Sequence, residues 1–182
     1  IEEIISQEKP DLVLVHGDTS TTFASSLAAF YQKIPVGHVE AGLRTYSKYS
    51  PYPEEMNRKL TGCLADLHFA PTQTAKEALL KEGVPAGQIF VTGNTVIDAL
   101  LQTVDKGYKF KDATLKQLNF ESKKIILLTA HRRENIGARM EQIFQAAKEI
   151  VEQHLDAEVV VPVHLNPAVQ ELAQKVFGGS ER

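Results

Sequence analysis

The chain has one cysteine, no tryptophan and no apolar run that approaches the roughly 20 residues of a membrane-spanning helix. The single Cys63 excludes a disulfide within the chain and is typical of a reducing compartment. Because 20 basic residues face 23 acidic ones, the net charge is only −3, and no overall positive field favours nucleic acid. These absences predict a protein that binds neither nucleic acid nor a membrane.

Several familiar motifs are also missing from the sequence. No Gly-x-Gly-x-x-Gly pattern follows a predicted strand, and there is no Walker A motif. No Gly-x-Ser-x-Gly elbow marks a serine nucleophile. The histidines do not show the His-Glu-x-x-His spacing of a metal site. We therefore expect no cofactor and no metal.

What the chain does have is an alternation of strands and helices. Residues 11–16 form a continuous apolar run, as expected of a parallel strand buried on both faces, and residues 19–31 show helical spacing. Thr74 and Glu77 predict a capping box at the start of a later helix. Further strands are expected at 34–38, 66–70, 89–92, 124–129 and 158–163, and further helices at 53–64, 94–106, 138–154 and from Asn166 onward. This rhythm predicts an α/β fold with two Rossmann-like, doubly wound parallel sheets.

The pattern also predicts two domains, neither of them complete. We expect residues 1–97 to be the C-terminal part of a first Rossmann-like domain that carries the catalytic carboxylates. Residues 98–182 are expected to be the N-terminal part of a second one. The chain opens at Ile1 on the tail of an amphipathic helix and stops at Arg182 after a Gly-Gly turn. We therefore expect a segment of a longer protein, with little turnover on its own.

Polar side chains gather where the predicted strands end. The strand ends carry residues 16–18 (His-Gly-Asp), 38–40 (His-Val-Glu), 131–134 (His-Arg-Arg-Glu) and 164–166 (His-Leu-Asn). Open α/β sheets bind ligands at this edge, so the pattern predicts a cleft reached from both domains. Carboxylates can move protons, and arginines can bind phosphates through two parallel hydrogen bonds.

Each acidic candidate also has a simpler structural interpretation when it is taken alone. Asp18 could cap the following helix, and Glu40 could form a surface ion pair with Arg44. Glu54 suits the positive end of a helix dipole and is spaced for an i,i+4 pair with Arg58.

The remaining candidates have similar alternatives. Glu55 would then serve only the helix terminus. His38 is expected to be a satisfied strand-end histidine, and His68 and His154 to be structural or exposed. Arg132 and Arg133, in contrast, are expected to contact phosphate because they follow a strand.

Six blocks of sequence, in order, resemble the non-hydrolysing UDP-N-acetylglucosamine 2-epimerases. The blocks are residues 15–22 (VHGDTSTT), 38–45 (HVEAGLRT), 53–58 (PEEMNR), 92–98 (TGNTVID), 130–135 (AHRREN) and 162–167 (PVHLNP). The resemblance implies a two-domain fold like that of the GT-B glycosyltransferases. It implies interconversion of UDP-N-acetylglucosamine (UDP-GlcNAc) and UDP-N-acetylmannosamine (UDP-ManNAc) in the cytoplasm, for bacterial surface polysaccharides. It also implies a homodimer, with a second UDP-GlcNAc as activator.

The resemblance implies the following roles for individual residues. Its catalytic residues would be Asp18, Glu40, Glu54 and His131. Substrate binding would fall to Arg58 and His164, and communication with the activator to Arg44 and Arg132. The family eliminates UDP from C1 and a proton from C2 to give 2-acetamidoglucal, and then adds both back. Such a route needs a base, an acid on the opposite face and cations around the diphosphate.

Two other functions remain open at this point. One is a hydrolysing relative that releases UDP and free N-acetylmannosamine from a similar intermediate. The other is a GT-B module that binds a nucleotide sugar without catalysis or transfers the sugar to an acceptor.

Overall fold

The computed structural model describes residues 1–180 except the side chain of Arg133, so the phosphate contact expected of Arg133 lies outside the described part of the chain. The described residues form two compact units divided between residues 104 and 105. The domain boundary expected at residues 97 and 98 falls inside a helix, Thr95–Thr103, that belongs to the first unit. Within residues 1–180, no helix is long and apolar enough to cross a membrane.

The first unit has four parallel strands with helices between them. The sheet order is β1-β2-β3-β4, and the register pairs His16 with Val39 and His38 with His68. Its elements are α1 (Glu2–Glu8), β1 (Val13–His16), α2 (Ser20–Tyr31), β2 (Val36–Val39), α3 (Glu54–Leu64), β3 (Leu67–Ala70), α4 (Gln73–Lys81), β4 (Ile89–Val91) and α5 (Thr95–Thr103). Each crossover thus returns the chain to the same carboxyl edge of the sheet.

The second unit repeats the pattern on a smaller scale. Its two strands pair in parallel, with Lys124 opposite Ala157 and Leu127 opposite Val160. Its elements are β5 (Lys124–Leu127), α6 (Ala138–Gln153), β6 (Ala157–Val160) and α7 (Pro167–Phe177). Asn166 caps α7 by accepting from the Ala168 N–H at 3.0 Å, with Pro167 at the first helical position. The predicted α/β class with parallel strands in two sheets is confirmed.

The cores are small and local to each unit. In the first unit Ile5, Val15, Ala28, Ala29 and Val36 pack between β1, β2 and the first two helices. A second cluster holds the loop after β2 against α4 and β4 through Ala41, Ala70, Ala75, Leu79 and Ile89. The second unit is centred on α6 and α7, through Met140, Phe144, Val169, Ala173 and Val176.

Two local predictions are wrong. The strand β1 is not buried on both faces within the described residues, since Leu14 is 61% exposed. The capping box of Thr74 and Glu77 is absent, since α4 begins two residues earlier. Thr72 is its N-cap and accepts from the Ala75 N–H at 3.1 Å.

Candidate functional site

The carboxyl ends of β1 and β2 carry the predicted carboxylates of the first unit. The Gly17 N–H donates to the Val39 carbonyl at 3.0 Å, which ties together the turns that follow the two strands. Gly17 has φ +75° and Glu40 has φ +68°. A glutamate in this left-handed region is uncommon, so the turn after β2 holds Glu40 in a conformation that glycine would adopt more readily. The fold thereby places Asp18 and Glu40 directly beyond paired residues of adjacent strands.

Asp18 is bound by Arg58 rather than serving as a helix cap. Arg58 donates from Nε at 2.9 Å and from Nη2 at 2.6 Å, both to Oδ2 of Asp18. The Asn57 side chain donates to the Asp18 carbonyl at 2.9 Å. The N-cap of α2 is Thr19, which accepts from the Thr22 N–H at 3.2 Å. The capping interpretation of Asp18 is therefore wrong, and its carboxylate is joined to α3.

Glu55 is the buried acidic residue of this network. It is 1% exposed, and its two oxygens accept from the backbone N–H groups of Thr45 and Tyr46 at 2.9–3.2 Å. Arg58 Nη1 donates to Glu55 Oε2 at 3.3 Å. Burial raises the pKa of this carboxyl, but the donors of Thr45, Tyr46 and Arg58 outweigh burial, and the net pKa is lowered. Glu55 thus does more than serve the helix terminus.

Glu54 stands apart from these contacts. It lies half-buried in the first turn of α3, and its side chain has no hydrogen bond or ion pair with the other described residues of the first unit. The expected i,i+4 pair with Arg58 does not form, because the Arg58 guanidinium is taken by Asp18 and Glu55. A carboxylate without a cationic partner remains available to a ligand.

Glu40 has two side-chain neighbours, a histidine and an asparagine, and neither is a lysine or an arginine. Its Oε2 lies 3.5 Å from Nε2 of His16, and its Oε1 accepts from the Asn94 side-chain amide at 3.3 Å. Asn94 also caps α5 through the Val96 N–H at 3.0 Å. Three elements, β1, β2 and α5, therefore meet at this carboxylate.

Arg44 does not pair with Glu40, contrary to the simpler expectation. Its Nε and Nη2 donate to the two oxygens of Glu82 at 2.8 and 2.7 Å, and its Nη1 donates to the Leu43 carbonyl. The arginine side chain is 2% exposed. Its hydrogen bonds pull the pKa of Glu82 below the usual range. Arg44 therefore holds the loop after β2 against the end of α4.

Two histidines of the sheet are buried. His38 lies inside β2, 1% exposed, with Nε2 2.8 Å from the Gly17 carbonyl. His68 on β3 is equally buried. Both rings are buried in the sheet, but the expectation that His38 is fully satisfied is wrong, since its buried Nδ1, like that of His68, has no hydrogen-bond partner among the described residues. Burial lowers the pKa of His38 to about 4 and also lowers that of His68. His38 is thus a neutral ring that donates to the turn carrying Asp18, whereas its Nδ1 has no partner in the described chain.

The second unit brings its two candidate histidines together. His131 follows β5 and His164 follows β6, and their rings stack with centroids 5.9 Å apart and 24° between planes. The His164 Nδ1 accepts from the Asn166 N–H at 3.0 Å, beside the start of α7. Arg132 is exposed next to His131. The strand-end rule therefore places these three side chains at one edge of the second sheet.

The structure leaves the cofactor expectation untested. Among residues 1–180 there is no group of three or more His, Cys, Asp or Glu side chains that could hold a metal ion. What the first unit offers instead is proton chemistry and anion binding. Glu40 and Glu54 are carboxylates that are not paired with a lysine or arginine in this unit. Arg58 is a partly exposed guanidinium beside Asp18.

Sequence reasoning missed several residues of this network. Glu55 was visible beside Glu54, but only the structure shows which of two adjacent glutamates turns inward. Glu82 and Asn94 lie 38 and 54 residues from their partners Arg44 and Glu40, and no local pattern links such pairs. His16 did stand at a strand end, which was the one available signal.

The fold and the strand-end side chains define a Rossmann-like α/β protein with acid–base and anion-binding groups. A family model for UDP-N-acetylglucosamine 2-epimerase matches residues 1–182. The Bacillus subtilis protein named UDP-N-acetylglucosamine 2-epimerase is 60% identical over 182 residues, which cover all of this chain and 47% of that protein. This chain belongs to the UDP-N-acetylglucosamine 2-epimerase family.

Solved structures agree with this assignment. Staphylococcus aureus MnaA with UDP is 56% identical, with a TM-score of 0.90 over all of this chain and 48% of that one. The UDP-GlcNAc 2-epimerase from Neisseria meningitidis bound to UDP-GlcNAc is 49% identical, with a TM-score of 0.86 over 98% and 49% of the two chains. The two-unit, GT-B-like fold is thereby confirmed. The chain spans about half the length of the relatives it matches.

Proposed function

We propose that the complete gene product interconverts UDP-GlcNAc and UDP-ManNAc without hydrolysis. The observation that carries this proposal is the family match along all 182 residues. Solved relatives hold UDP in one case and UDP-GlcNAc in another, which supports a nucleotide sugar as the ligand. The activity is assigned to the complete product because this chain spans only about half of its relatives.

The chemistry follows from the substrate. The C2 proton of the sugar is not acidic, because no carbonyl carbon is adjacent to C2. A carboxylate removes this proton while the bond from C1 to the UDP oxygen breaks, and a C1–C2 double bond forms. An acid then returns a proton to the other face of C2, and the UDP oxygen reattaches to C1. Charge develops on the departing diphosphate, and cationic side chains stabilise it.

We assign the proton transfers to Asp18, Glu40 and Glu54. Glu40 and Glu54 suit the task because no guanidinium or ammonium group is bound to them in the first unit. Asp18 is oriented by Arg58. We further assign nucleotide-sugar contacts to Arg58 and His164, and a catalytic part in stabilising the diphosphate to His131. The stacked rings of His131 and His164 support a shared role.

The proposed assembly and control rest on the family resemblance. We propose a cytoplasmic homodimer that a second UDP-GlcNAc activates. Arg132, exposed at a strand end, is suited to a direct contact with that ligand. The buried Arg44, with its donors bound by Glu82 and Leu43, would act through the loop it fixes.

Product analysis tests the proposal. Purified complete product is incubated with UDP-GlcNAc in the presence of EDTA, and the sugars are identified by proton NMR. We expect UDP-ManNAc without added metal or NAD. Free N-acetylmannosamine with UDP would instead identify a hydrolase, and no turnover without an acceptor would favour a transferase or a binding module. Glu54→Gln, Asp18→Asn and Glu40→Gln should each lower kcat by about 10²–10⁴-fold.

A further inference from the structure

An epimerisation that uses two proton-transfer groups leaves both of them in the wrong state. After one turnover the base has gained the proton of C2 and the acid has lost its own. Each must exchange a proton with solvent before the next turnover in the same direction. A group that lies beside the carboxylate and is more exposed to water than the carboxylate itself would speed this exchange.

His16 meets both requirements. Its Nε2 lies 3.5 Å from Oε2 of Glu40, and its side chain is 58% exposed, against 28% for Glu40. Its backbone is fixed, since it is the last residue of β1 and its carbonyl accepts from the Thr22 hydroxyl at 2.7 Å. The imidazole thus projects from a fixed strand end into solvent, with Nε2 at ion-pair distance from the carboxylate.

The other partners of the carboxylates cannot perform this exchange. Asp18 faces Arg58, and a guanidinium keeps its protons at neutral pH. The second partner of Glu40 is the side-chain amide of Asn94, which does not titrate. Histidine is the side chain that gains and loses protons near neutral pH.

Resting on the proposed epimerase function, we propose that His16 relays protons between Glu40 and solvent. When Glu40 carries the proton taken from C2, its hydroxyl passes that proton to Nε2 of His16, and Nδ1 releases its own proton to water. When Glu40 has given up its proton and must regain one, the same steps run in reverse. His16 acts through Glu40 and does not touch the sugar, so it is a positioning and relay residue.

Chemical rescue in the complete gene product tests the relay. His16→Ala removes an exposed side chain, and we expect kcat to fall by about 10–100-fold, the lower part of the range for acid–base groups, with KM within twofold. Added imidazole, which can enter the space left by the ring, should restore kcat in proportion to its free-base concentration.

Two matched controls isolate the effect. His154→Ala removes an exposed histidine of the second unit and should leave kcat unchanged, with or without imidazole. Glu40→Gln should lose activity that imidazole does not restore, because the relay then has no carboxylate to serve. Full activity of His16→Ala, or a loss that imidazole does not reverse, would overturn the relay. If the unmodified product makes no UDP-ManNAc, the proposed function fails, and the relay fails with it.

Discussion

Replacing Glu55 by glutamine should destabilise the first unit strongly. The change keeps the shape of the side chain but removes its charge and one acceptor oxygen. The new amide group would point a donor at the N–H groups of Thr45 or Tyr46, and Arg58 would lose one of its two carboxylates. At 1% exposure, no water can replace these partners without opening the loop.

The expected magnitude follows from these losses. An unsatisfied buried donor costs about 1–3 kcal/mol, and breaking a buried ion pair costs about 3–5 kcal/mol. The two losses overlap, because Arg58 keeps Asp18. We therefore expect Glu55→Gln to lower the free energy of unfolding of the first unit by about 3 kcal/mol. Glu54→Gln, one residue earlier and without such contacts, should change it by less than about 0.5 kcal/mol.

The effect should also depend on pH with a definite sign. The folded-state pKa of Glu55 is lowered, so its stabilisation is complete above the ordinary value of 4.5 and is lost as pH falls through the folded-state pKa. Protonated Glu55 resembles glutamine, and the difference between the two proteins should shrink on acidification.

Urea unfolding, with hydrogen exchange of peptides covering residues 44–58, measures the effect of Glu55→Gln. The same measurement on Glu54→Gln provides the control. Equal stability of the two variants near neutral pH would refute the account of Glu55. A difference that persists unchanged into acid would refute its electrostatic part.

Two further predictions concern the same unit. Gly42→Ala should prevent the first unit from packing, because Gly42 has φ +87° and an added Cβ would lie 2.3 Å from the Ala75 carbonyl oxygen. Gly87→Ala, where nothing lies within 4 Å, should be neutral in the same thermal-unfolding assay. As pH is lowered from 6.5 to about 4, His38 should reduce the free energy of unfolding by on the order of 3 kcal/mol. In this range the histidine binds a proton in the unfolded chain but stays neutral in the folded one. His38→Gln, which keeps a donor for Gly17, should flatten this part of the unfolding profile, and an unaltered profile would contradict the assignment.

Periodicity and strand-end position predicted much of the architecture. The strands and helices alternate as expected, since hydrophobic runs and helical spacing are local signals. Position at a strand end predicted that Asp18 and Glu40 follow neighbouring strands and that His131 lies near His164. The reason is that parallel crossovers return the chain to one edge of the sheet. Whether these residues act on a nucleotide sugar stays a prediction.

The partners of the charged residues could not be predicted. A helix spacing of four suggested Glu54 for Arg58, yet the arginine reaches Asp18, 40 residues away. Arg44 likewise pairs with Glu82 and not with Glu40, which is closer in sequence. Ion pairing depends on where loops and helix ends meet in space. When several acidic residues lie near an arginine in the sequence, spacing alone does not show which of them it will pair with. The exposure of Leu14 also escaped prediction, because an apolar run does not show which faces of a strand are covered by helices.

The proposed elimination and re-addition can be tested directly at C2 of the sugar. The complete gene product is supplied with UDP-GlcNAc in D2O, and the UDP-ManNAc formed is examined by NMR and mass spectrometry. Because the returning proton comes from carboxyl groups that exchange with solvent, the account predicts deuterium at C2 of the product. Full retention of protium at C2 would contradict it.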